Sequence, residues 1–310
     1  MRHRNRRLFA GIIPFILMVG QVGYAQVGSS GFSVLKLGVS ARGVAMADAM
    51  NGHASGVAAT FYNPAGLSLP LSNGSTAQLA VTHKEWIQDT RTEFLGALVQ
   101  LSDRDAVGFS MNSTTVSDIE IRTRPGVPEG TFTARNYWVG ASYGRRVSDD
   151  LRIGATVKFL YEKILVDEAS GIGFDIGALY STPIERLSVG ATVANIGSMN
   201  TLRNEKTKLP TLVRFGPAYS TELPDIKALI TLASDVVHVF PDAKSYLNVG
   251  GESLFDHAFA ARLGYRFGSE GQKFSAGVGV VYEFLTLDYA YAPLALDLGN
   301  AHTISLSFNI

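Results

Sequence analysis

The last fifty residues of the chain alternate between apolar and polar or small positions with a period of two. Ile304, Leu306, Phe308 and Ile310 are separated by Ser305, Ser307 and Asn309, and Leu285, Leu287, Tyr289 and Tyr291 by Thr286, Asp288 and Ala290. Phe274, Ala276, Val278 and Val280 are separated by Ser275, Gly277 and Gly279, and Phe259, Ala261, Leu263 and Tyr265 by Ala260, Arg262 and Gly264. Successive side chains of a β-strand point to opposite faces, so each segment reads as a strand with one greasy and one polar face. The same reading continues upstream. It predicts fourteen strands, near 75–83, 91–101, 104–116, 131–145, 150–164, 171–181, 186–197, 210–220, 226–237, 245–252, 255–267, 272–283, 285–293 and 300–310. No helical period competes over a comparable length.

An even strand number, with connections that alternate between short turns and longer loops such as 117–130 and 198–209, predicts a closed transmembrane antiparallel β-barrel. Closure satisfies every backbone hydrogen bond inside lipid, which an open sheet cannot do. Charge placement agrees. Arg262 and Arg266 share a parity opposite to Phe255, Phe259, Leu263, Tyr265 and Phe267. An arginine facing lipid at mid-depth costs roughly 2–4 kcal/mol, whereas in the lumen it can pair. Asp175, Arg214, Asp235, Arg262, Arg266, Glu283 and Asp288 are therefore expected in the lumen, beside the small residues Gly154, Gly177, Gly190, Gly216, Gly264, Gly277 and Gly279.

Composition narrows the class. The 310 residues carry 27 basic and 27 acidic side chains, which argues against a nucleic-acid binder. Cysteine is absent, so thiol catalysis and disulfides are excluded, and the 46% hydrophobic content excludes a disordered chain. Residues 1–25 read as a cleaved export signal: four arginines, an apolar stretch from Leu8, then Gly23-Tyr24-Ala25. Its removal leaves 23 basic and 27 acidic residues, a net charge of −4. No later segment offers the roughly 20 unbroken apolar residues of a spanning helix.

Residues 26–74 do not alternate. They are expected to form a compact hatch inside the barrel of residues 75–310. The segment Leu35-Lys36-Leu37-Gly38-Val39-Ser40-Ala41-Arg42-Gly43, then Met46-Ala47 and Phe61-Tyr62-Asn63-Pro64-Ala65-Gly66-Leu67, resembles the N-terminal signature of the PorV/PorQ family, which belongs with the FadL-like outer-membrane proteins. The resemblance implies a fourteen-stranded outer-membrane barrel with an N-terminal hatch of a Gram-negative-type bacterium. It implies a part in type IX protein secretion, with secreted client proteins and other secretion components as partners besides outer-membrane lipid; loops 117–130 and 198–209, the longest and mixed in charge, are the expected recognition elements. The FadL-like alternative is a transporter of hydrophobic small molecules, for which Pro217 inside the eighth strand could open a gap in the wall.

Candidate chemistry dissolves under this reading, and neither an enzyme nor a cofactor nor a metal is expected. Gly140-Ala141-Ser142-Tyr143-Gly144 matches the hydrolase pattern but lies inside a strand rather than at a strand-to-helix turn. Gly171 to Gly177 lacks the helix and spacing of a dinucleotide loop, and His83, His238, His257 and His302 lack ligand spacing. In the hatch, Arg42 needs a carboxylate partner, with Asp175, Asp235, Glu283 and Asp288 as candidates. Asn63, Pro64, Ala65 and Gly66 read as a turn, with Asn63 capping it.

Overall fold

The structure, a computed structural model, describes residues 30–310 apart from 88, 203 and 204. The expected export signal lies outside the described residues. Strands β1 (Ala77–Glu85), β2 (Thr90–Gln100), β3 (Asp105–Ile121), β4 (Gly130–Arg146), β5 (Leu151–Ile164), β6 (Asp167–Ser181) and β7 (Leu187–Met199) form the first half of the wall. A small hairpin, β8 (Thr201–Leu202) and β9 (Glu205–Lys206), stands apart from it. Strands β10 (Leu212–Leu223), β11 (Ala228–Val239), β12 (Lys244–Phe255), β13 (Phe259–Phe267), β14 (Phe274–Tyr282), β15 (Leu285–Pro293) and β16 (Asn300–Asn309) complete it. Each strand pairs antiparallel with its neighbour, and β16 closes on β1 through Gln78↔Asn309 to Glu85↔His302, giving a closed barrel of fourteen strands.

The wall is inverted relative to a soluble protein. Phe259 and Leu263 are 61% and 60% exposed on the outside, while Arg262 between them is 5% exposed inside. The same alternation runs along β5, where Ile153, Val157 and Phe159 face out and Thr156, Lys158 and Leu160 are buried. Lipid in place of water on the outer face makes this arrangement favourable, so the fold is a transmembrane barrel.

The sheet begins and ends at one end of the barrel, here the turn end, whose connections are 101–104, 147–150, 182–186, 224–227, 256–258 and 283–284. At the opposite, loop end, 122–129 and 200–211 are the longest connections, but 165–166 is only two residues, so the expected alternation of loop length is partial. Height at the loop end comes from strand length instead. β3 and β4 run 17 residues each, against 9 for β13, β14 and β15.

Candidate functional site: the hatch and the wall around it

Residues 30–68 fold into short helical turns that fill the lumen. Helix α1 (Ala41–Ala45) starts at Ser40, whose hydroxyl accepts from the Gly43 N–H at 3.1 Å. Wall hydroxyls satisfy backbone groups that so short a helix leaves open: Ala41 N–H donates to Ser305 Oγ at 2.8 Å, and Ser275 Oγ donates to the Ala45 carbonyl at 3.1 Å. Ala47 and Asp48 both adopt left-handed backbone, φ 52° and 61°, and turn the chain back.

Every charged residue of the hatch lies in its first half, and each is ion-paired with the wall. Lys36 reaches Asp242 in the β11–β12 connection at 2.9 Å. Arg42 donates through Nε and Nη2 to Glu252 on β12 at 2.9 and 2.7 Å. Glu252 is shared with Arg262, which also donates to Asp288 at 2.7 Å, so two guanidiniums and two carboxylates form one chain. Asp48 accepts from Arg266 at 2.6 Å and from the Tyr62 hydroxyl at 2.6 Å. Burial pushes the Asp48 carboxyl up, but Arg266, Lys84 and Tyr62 together hold it below its ordinary range.

The second half, from Asn51 to Ser68, carries no acid and no lysine or arginine. It meets the wall through backbone lying on glycines and through the amides of Asn51 and Asn63. The Asn51 amide N–H donates to Asp235 at 2.9 Å, its side chain donates to the Arg214 carbonyl at 3.2 Å and accepts from Thr192 at 2.6 Å. After helix α2 (Ala59–Tyr62), Asn63 Oδ1 accepts from the Ala65 N–H at 3.1 Å while its amide donates to the carbonyls of Asn51 and Ala178, each at 3.0 Å. The turn Pro64–Ser68 lies on Gly144, Gly154 and Gly177, where a β-carbon would collide with Pro64, Asn63 or Leu67. Arg214 stands over Phe61 and Tyr62, 5.4 and 5.8 Å from their ring centroids.

Three irregularities mark the wall, one of them a one-residue shift between β6 and β7 at Phe174. In β3 the register with β4 shifts by one residue between Val116 and Ile119, with Asp118 at φ 56°. Such a bulge moves the following side chains to the other face. Ile119 and Ile121 thereby join Phe132 and Ala134 on the lumen side of a hairpin that rises past both neighbouring strands, since β2 pairs only to Val116 and β5 only to Arg135. The third irregularity is at Gly216-Pro217. β10 keeps its pairing with Gly190 and Val189 of β7, but Gly216 and Pro217 are unpaired with Asp235 and Ser234 of β11. The hatch residue Gly52 sits against this break, within 3.0 Å of Gly216, Pro217 and Ala218 for an added β-carbon. Between the hatch and the turn end is a cavity of about 360 Å³ lined by Arg42, His53, Gln78, Glu252 and Ser305 among others. Neither ring nitrogen of His53 has a hydrogen-bond partner among the described residues. Burial, and secondarily Arg42, lower its pKa to about 3.

Six of the seven expected lumen charges, Asp175, Arg214, Asp235, Arg262, Arg266 and Asp288, are buried or half-buried on the lumen side. Glu283 is a correction. It is exposed in the β14–β15 turn with φ 50°, because the strand stops at Tyr282 and the chain reverses there. The partner of Arg42 is a second correction: Glu252 takes the role offered to Asp175, Asp235, Glu283 or Asp288. Lys158 was also not anticipated. It is 1% exposed, pairs with Asp175 at 2.6 Å and stands 5.5 Å from the Trp138 ring centroid. Both residues share the lumen parity of their strands, so the alternation argument would have found them if carried through β5 and β12. Ser142 of the hydrolase-like pattern bonds Thr156 at 2.8 Å within the wall.

No protein-family model matches the sequence, and the search of curated proteins gives no match either. Solved structures do match in fold. The chain is similar to the CymD monoaromatic hydrocarbon channel, with TM-score 0.63 and 12% identity over 88% of this chain and 98% of that one. It is similar to the Pseudomonas putida toluene transporter TodX, with TM-score 0.60 and 12% identity over 87% and 96% of the two chains. A Pseudomonas aeruginosa FadL homologue aligns with TM-score 0.53 and 12% identity over 87% and 98%. What these proteins share with the present chain is a FadL-like barrel architecture spanning nearly the whole length of each.

Proposed function

We propose that this protein is a non-enzymatic, FadL-like channel of the outer membrane that passes hydrophobic small molecules around its hatch. The observation that carries the reading is the break in the β10–β11 ladder at Gly216-Pro217, directly beside the hatch turn Asn51-Gly52. Proline has no N–H to give the ladder, so the wall is weakest where the hatch touches it. The hatch fills the axis, which leaves the wall as the route for a molecule that prefers lipid to water. The apolar face of Ile119, Ile121 and Phe132 at the loop end offers such a molecule its first dry surface. The monoaromatic-hydrocarbon channels among the structural neighbours support a hydrophobic cargo. The test is uptake of radiolabelled toluene and of a long-chain fatty acid by cells with and without the gene. Uptake that depends on the gene supports the reading, and equal uptake in both strains rejects it.

A second reading, of a PorV/PorQ-type component of type IX secretion, is favoured by the tall β3–β4 hairpin, which presents 117–130 well above the neighbouring strands. Deleting 122–129 then abolishes client binding while the barrel stays folded. An organism without C-terminal sorting domains and the other secretion components rules this reading out.

A further inference from the structure

At the turn end of the lumen, two arginines stand side by side on neighbouring strands, with a third in the exposed turn beside them. Arg104 lies opposite Arg146, whose N–H donates to the Arg104 carbonyl at 2.8 Å where the β3–β4 ladder continues past Asp105↔Arg145. Arg146 in turn pairs in register with Arg152 of β5, and the next residue in the row is Leu179 of β6. The row has the parity of Gly144 and Gly154, which touch the hatch, so it faces the lumen one position closer to the turn end.

Like charges directly opposite on neighbouring strands repel, and Arg146 and Arg152 are such a pair, with Arg104 adding a third positive charge from the turn. Carboxylates nearby compensate little. Asp149 holds Arg146 at 2.7 Å but is itself 93% exposed. Asp103 and Asp150 are exposed in the same two turns, and Asp105 is held by Tyr143 and Arg145. Arg152 has no hydrogen-bond or ion-pair partner among the described residues, although its Nε is buried. Its cross-strand neighbours, an arginine and a leucine, cannot accept from it.

We propose that Arg104, Arg146 and Arg152 form a binding site for an oxyanion, a phosphate or carboxylate group that reaches the barrel from its turn end. Planar guanidinium forks suit two-oxygen recognition, and one anion between Arg146 and Arg152 turns a repulsive pair into two charge-assisted contacts. Because the row adjoins the glycines under Pro64 and Leu67, the bound anion braces the part of the wall on which the hatch rests. The site is independent of the cargo.

The experiment measures the unfolding midpoint of the full-length barrel in detergent, by gel mobility, in chloride and in millimolar inorganic phosphate at matched ionic strength and pH. The wild type is expected to gain a few degrees in phosphate. Arg152→Gln loses this gain, Arg104→Gln reduces it, and Arg145→Gln, whose side chain faces outward, keeps it. A parallel series in acetate separates the sources: a gain in both salts assigns any oxyanion, and a gain in phosphate alone assigns a phosphate group. No gain in the wild type, or an equal gain in Arg152→Gln, overturns the proposal. If Arg152→Gln does not assemble, Arg104→Gln, in an exposed turn, decides it in the same way.

Discussion

Both halves of the hatch rest on wall glycines, but only the first adds ion pairs to the wall. From Ser30 to Met50 long side chains meet across the lumen, Lys36 with Asp242, Arg42 with Glu252 and Asp48 with Arg266, while the backbone of Met46 and Ala47 also lies on Gly250 and Gly264. From Asn51 to Ser68 the contacts are backbone groups lying on glycines and hydrogen bonds that involve Asn51, Asn63, Ser188 and Asp235. Flexible ion pairs tolerate a displacement of the hatch of a few tenths of an ångström. Backbone on glycine does not, because nothing there can rotate away. The first half is therefore clasped as well as seated and the second is only seated, and the wall break at Pro217 lies at the junction, against Gly52.

The sharpest way to break this comparison is to fill the seat. Gly154→Leu places a side chain where Pro64 and Ala65 lie, and is expected to prevent the hatch from docking, with loss of the compact, heat-modifiable form on gels. A variant that assembles normally would show the seat to be as adaptable as the clasps. Next is Glu252→Gln, which leaves Arg42 and Arg262 without their shared carboxylate. Removing one partner of a buried ionic cluster costs up to about 3–5 kcal/mol, read as a lower urea midpoint. Arg42→Ala should cost less, because Glu252 keeps Arg262, and should show chiefly as faster proteolysis within residues 30–50.

Asn63→Ala removes three hydrogen bonds of the seat and is expected to cost about 1–2 kcal/mol without changing any charge. The smallest effect is a pH dependence. His53 is neutral when folded, with its pKa lowered to about 3, while in the unfolded chain it titrates near the ordinary histidine value of 6.5. Between those values the unfolded state binds more protons, so stability declines as pH falls from about 6.5 towards 3. Measured from pH 7 to pH 5, before Asp48 contributes, this decline should appear as the difference in slope between the wild type and His53→Gln. An unchanged slope in that variant would place its origin outside the hatch.

Strand number and facing were legible because a wall between lipid and lumen imposes a two-residue period on every strand. Arg262 and Phe259 could be assigned to opposite sides by counting. Counting fails where the period is interrupted. Glu283 has lumen parity, but the strand ends one residue earlier and the turn takes it outside. Ile119 and Ile121 have the parity of the lipid face, but the bulge at Asp118 reverses them. A positive φ at a single non-glycine residue leaves no trace in the alternation.

The sequence by itself determined which face of the wall each regular strand residue occupies, and that a small, non-alternating segment precedes the barrel. Only the tertiary structure decided which wall residue meets which hatch residue. Arg42 and Glu252 are 210 positions apart, and their meeting depends on the height at which the hatch sits once β1 has closed on β16. Parity is a local property of the backbone, repeated every two residues. Pairing across the lumen depends on the register summed around fourteen strands, including the one-residue shifts at Val116 and Phe174, which no single segment encodes.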